Sequence, residues 1–67
     1  MTPRDHLASC LEELEDAAVS YGLNSSAANV QRLVSARKMF DAAVEAVVFD
    51  ELAAQRTRII EAVEQNI

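Results

Sequence analysis

His6 and Cys10 stand four residues apart, the spacing that turns two side chains to one face of an α-helix. An imidazole and a thiolate so placed supply half of a tetrahedral zinc site, which a second copy of the chain would complete. They are also the one Cys/His combination open to nucleophilic catalysis. That chemistry needs an orienting partner for the base and an oxyanion-stabilising loop. The sequence has no second histidine or cysteine, no CxxC or HExxH pattern, and a single glycine. The pair therefore reads as a rim histidine beside a small buried thiol. No catalytic, metal-binding or cofactor-binding residue is assigned, and the chain is not expected to be an enzyme.

A second group carries charge. Glu12, Glu13, Glu15 and Asp16 place four carboxylates within five positions. They read as a solvated ridge partly neutralised by Arg32, Arg37 and Lys38, with each surface pair worth about 0–1 kcal/mol. The excess of acids keeps a functional reading open, in which the ridge meets a basic partner as a charge mimic of DNA.

The bulk properties set the same limits. The 67 residues carry a net charge of −5 and a pI of about 4.6. That disfavours direct binding of a phosphate backbone, which requires a Lys/Arg face. Direct DNA binding is the weakest alternative, since Arg32, Arg37 and Lys38 are outnumbered. Hydrophobic residues make up 51%, but many are alanines, which favour helix and bury little area. A chain this short buries only about 60% of its unfolded surface, and one cysteine forbids an intrachain disulfide. Oligomerisation is the remaining route to stability. No apolar run reaches the ~20 residues a membrane span needs, and Arg4-Asp5-His6 does not resemble a signal peptide. A cytoplasmic location is expected.

The elements that must position these groups are helical. Thr2, Pro3 and Asp5 form a helix start, with Thr2 as N-cap, Pro3 at N1 and Asp5 completing a capping box. Leu7, Cys10, Leu11, Leu14, Ala17, Ala18 and Tyr21 recur at three- and four-residue spacing and predict a first helix over about 3–21. Gly22 is expected to end it in the left-handed conformation, with Leu23 packing back. Asn24, Ser25 or Ser26 can cap the next helix, so a turn over 22–25 leads to a second helix over about 26–65. The expected fold is all-α, one domain over 1–67: an antiparallel αα-hairpin with a short first and a long second helix. Pairing out from the turn places Glu12 near Val34 and Asp5 near Asp41.

Helix 2 changes character along its length. Val30, Leu33, Val34, Phe40, Val44 and Val47 form an apolar side in the first half, where Arg37 interrupts. After Val48 the stripe shifts phase to Phe49, Leu52, Arg56, Ile59, Ile60, Val63 and Ile67, as at a stutter or a change of partner. A break at Asp50, giving three helices, is the competing expectation, although the segment lacks turn chemistry. Helix 1 reaches only to about Glu45. Val48, Phe49, Leu52, Arg56, Ile59, Ile60 and Val63 are therefore the candidate interface, either the core of a homodimeric bundle or a face that docks on another protein. Arg37 reads as a snorkelling stem; Arg56 fits that role or one fixing register.

A short capped helix ending Tyr21-Gly22-Leu23, then a long Ala-rich helix with Ala36-Arg37-Lys38-Met39-Phe40-Asp41-Ala42-Ala43-Val44, resembles in outline the small phage proteins that inhibit host regulators, such as quorum-sensing anti-activators. The resemblance implies a dimer that occludes the DNA-binding part of a regulator, or an assembly ATPase. The expected function is non-catalytic protein–protein interaction, with a structural or assembly subunit as the alternative.

Overall fold

The computed structural model describes residues 1–66 and contains two helices, α1 (Pro3–Leu23) and α2 (Ala27–Gln65), with no strand among the described residues. Thr2 accepts from the Asp5 backbone N–H, and the Asp5 carboxylate accepts from the Thr2 backbone N–H at 3.2 Å. The capping box read from the sequence thus starts α1. At the start of α2 the Ser26 hydroxyl accepts from the Asn29 N–H at 3.2 Å.

The end of α1 corrects one expectation. Gly22 lies inside the helix, and no residue, Gly22 included, has positive φ. The helix ends at Leu23, two residues beyond the expected end at Tyr21, and its cap Asn24 has extended backbone. The reason lies in how the last carbonyls are satisfied. Asn24 N–H donates to Ser20 O at 2.9 Å, and the Ser25 hydroxyl donates to Tyr21 O at 3.2 Å. Asn29 Nδ2 donates to both Ser20 O and Asn24 O, at 3.3 and 2.7 Å. Side chains perform the capping that a left-handed residue otherwise supplies. The connection is therefore Asn24 to Ser26.

From this turn the two helices pack side by side. Arg32 reaches Glu13, Ala36 shares a groove with Cys10, and Arg4 reaches Glu51. Partners thus rise along α2 as they fall along α1; the first two match the expected pairing, whereas Arg4 reaches about nine residues further along α2 than expected, past Glu45. The seam itself differs from expectation. The four most buried apolar residues are Cys10, Ala17, Ala36 and Ala43, at 5, 0, 3 and 2% exposure. Half-buried Leu7 and Leu14 alternate with the small pair on α1, as Leu33, Phe40 and Val47 do on α2. The three/four alternation is that of a coiled-coil seam, in which small residues let large neighbours interdigitate. Val30, Val34 and Val44, read from the sequence as part of the covered side, are exposed instead.

The helix α2 runs unbroken through Asp50, so no third helix forms. Its 39 residues span about 59 Å at 1.5 Å per residue, and the whole chain measures 63 × 15 × 15 Å.

Candidate functional site

Beyond Val47 every residue of α2 through Asn66 is exposed. Seam spacing continued past Val47 meets Asp50, Ala54, Thr57, Glu61 and Glu64. The first seam thus turns polar where α1 runs out. A groove there is lined by Arg4, Asp50, Glu51, Ala54, Gln55 and Arg58, and the Arg4–Glu51 ion pair closes its edge. That pair was not legible in the sequence, because it forms only where the first turn of α1 meets the beginning of the overhang.

All seven candidate interface residues lie on this overhang. Val48, Phe49, Leu52, Ile59, Ile60 and Val63 are exposed at 47 to 69%, and Arg56 is exposed beside them. Ile67, counted with them in the sequence, lies outside the described residues. At about 100° per residue, Val48, Leu52, Ile59 and Val63 share one side of α2, with Phe49 and Ile60 turned further around it. Val30, Val34 and Val44 fall on that same side. The phase change near Val48 is therefore no rotation of a single stripe. Two apolar stripes coexist on α2: one meets α1 and ends at Val47, and the other stays exposed along nearly the whole helix. Sequence reasoning merged them because it discounted alanine, and Ala36 and Ala43 are what separate the covered stripe from its neighbour.

The acidic ridge is exposed at Glu12, Glu13, Glu15 and Asp16. Of the three bases expected to neutralise it, only Arg32 does so. Its Nε donates to Glu13 Oε1 at 2.7 Å and its Nη1 to Ser20 Oγ at 3.1 Å. The hydrogen bond from Arg32, opposed by slight desolvation and aided by its charge, holds the Glu13 carboxyl below its ordinary range. Reciprocally, Glu13 and then Asp16 hold the guanidinium above its own. Among the described residues, Glu12, Glu15 and Asp16 form no ion pair, and neither do Arg37 and Lys38.

His6 Nε2 and Cys10 Sγ approach to 3.6 Å in a small groove that Ser9, Glu13, Ala36 and Met39 complete. The exposed histidine and buried thiol are placed as the sequence suggested. Among the described residues no three His, Cys, Asp or Glu side chains are grouped to hold a metal ion, and no helix is long and apolar enough to cross a membrane. No known protein family, curated protein or solved structure matches the chain.

Proposed function

We propose that the chain is a non-catalytic protein–protein interaction module, a helical dimer that binds and blocks a host protein such as a DNA-binding regulator. The observation that carries this reading is the overhang. Phe49, Leu52, Ile59, Ile60 and Val63 are exposed together on a segment that α1 touches only through Arg4, and contiguous apolar surface of this kind serves contacts with other molecules. Glu12, Glu15 and Asp16 add an unpaired negative field that favours approach to a basic partner surface. The phage setting rests on the outline resemblance and on nothing else.

The test is affinity capture from the native host, read by mass spectrometry, followed by a variant with Glu12, Glu13, Glu15 and Asp16 changed to Gln or Asn. Weakened binding of the captured partner with unchanged helicity supports the reading. Unchanged affinity returns the ridge to a solvated face. One observation favours a second reading, a structural or assembly subunit that uses the overhang alone: the ridge already gives up Glu13 to Arg32 within the chain. A salt-dependent shift of duplex DNA by the purified protein would overturn both.

A further inference from the structure

The groove beside the α1–α2 seam gathers the one cysteine of the chain, its one histidine and one of its two methionines. Three soft donor side chains from two helices thus line a space of about 140 Å³. Met39 is the member that the four-residue spacing of His6 and Cys10 does not disclose, because it arrives from α2 across the hairpin. Cys10 is only 5% exposed, yet it lines this groove, and its hydrogen-bonding neighbour there is His6.

The 3.6 Å between Cys10 Sγ and His6 Nε2 suits two ligands of one ion. Bonds of about 2.3 Å to sulfur and about 2.0–2.1 Å to nitrogen span that gap at an angle of about 110°. The donor set then selects the ion. Thiolate and thioether ligands favour Cu(I) over hard cations. Zinc calls for a fourth ligand, and the carboxylate of the groove, Glu13, is already held by Arg32 at 2.7 Å.

We propose that Cys10, His6 and Met39 form a Cu(I) site. Cys10 binds as the thiolate, and its displaced proton leaves to solvent. His6 binds through Nε2 with its own proton on Nδ1. Met39 is exposed at 56%, and its flexible, unbranched side chain can bring the thioether over the groove. Thiolate and ion cancel in charge beside the methyl wall of Ala36, and no electron is transferred. Met39 lies about 140° around α2 from Leu52 at about 100° per residue. A partner seated on the apolar stripe therefore leaves the site open, and the site does not depend on the dimer.

Anaerobic titration of the full chain with Cu(I), in competition with bathocuproine disulfonate, tests this. One ion per chain is expected, and copper K-edge absorption fine structure should show two sulfur ligands and one nitrogen. Met39→Leu and His6→Gln fall at exposed positions and should keep wild-type helicity. A lost outer-shell partner already costs about 10–100-fold in metal affinity, so each of these variants should weaken Cu(I) binding by at least about tenfold. Cys10→Ser should abolish it. Wild-type affinity in either Met39→Leu or His6→Gln would overturn the three-donor site and reduce the binding to a solitary thiol or a simple pair. One ion shared by two chains would overturn it as well, since a second copy would then complete the shell. Failure to take copper from the chelator would leave the Cys10–His6 contact a thiol–imidazole hydrogen bond and nothing more.

Discussion

The Arg32 guanidinium clasps α1 at two points, Glu13 Oε1 and Ser20 Oγ, which lie two turns apart on that helix. The pair is about half exposed on both sides, so its effect on stability is small and salt-sensitive. Its pH dependence has a definite sign. A carboxyl held below its ordinary value of 4.5 adds stability that is complete above that value and is lost as the pH falls through the depressed one. The raised Arg32 value contributes at every pH below the ordinary guanidinium range and therefore does not vary across the working range. Melting curves for Glu13→Gln at fixed protein concentration should sit slightly below wild type at neutral pH and merge with it in strong acid. A gap that stays constant into strong acid would show that the ionised pair contributes nothing.

Gly22 gives a sharper stability test. It sits in helical backbone, and a Cβ built on it meets nothing within 4 Å. Alanine there removes unfolded-state freedom and adds helix propensity, so Gly22→Ala should stabilise the protein by about 0.5–1 kcal/mol. A left-handed Gly22 would reverse the sign, because alanine is strained at positive φ. Urea unfolding at fixed protein concentration distinguishes a rise in midpoint from a fall.

The contrast between that residue and Thr2 shows what was legible in the sequence. Thr2-Pro3-Arg4-Asp5 is a local signal, and the side chains that complete the cap are three residues apart. The end of α1 depends instead on Asn29, a residue of the next helix, which donates back to Ser20 O. A rule that treats glycine as the default stop has no access to that bond. The same difference governs the candidate site. The overhang was legible, since it follows from the unequal lengths of two helices. The seam was not, because hydrophobic periodicity weights Val30, Val34 and Val44 above Ala36 and Ala43. Close approach of two backbones rewards the smaller side chain, so the alanines took the seam and the valines were left outside.

The alanine seam makes a prediction of its own. Ala17 and Ala43 are fully covered at the α1–α2 contact, where no room remains for a larger side chain. Ala43→Leu should destabilise the protein by about 1–3 kcal/mol through overpacking, despite the favourable helix propensity of leucine. The same change at exposed Ala53 should be close to neutral. Denaturant midpoints of the two variants against wild type, at one protein concentration, decide this. Equal midpoints would place the seam elsewhere on α2.

The overhang's role in folding and its role in association are separable by substitution. Phe49 and Ile59 are among the most exposed apolar residues of the chain, at 69 and 65%, and neither touches the Ala36–Ala43 seam that binds α1. An aspartate at either position removes apolar surface from the proposed contact and places a charge where a partner must desolvate it. If these residues served the hairpin, Phe49→Asp would lower helicity even at high dilution. If they serve a contact between molecules, the dilute variants keep wild-type circular dichroism, while light scattering at tens of micromolar changes from dimer to monomer. Because a partner that binds only the folded state adds stability by mass action, the wild-type melting temperature should also rise with protein concentration and the Phe49→Asp melting temperature should not. Parallel concentration dependence in the two proteins would remove the overhang from the dimer contact and leave it free for a different protein.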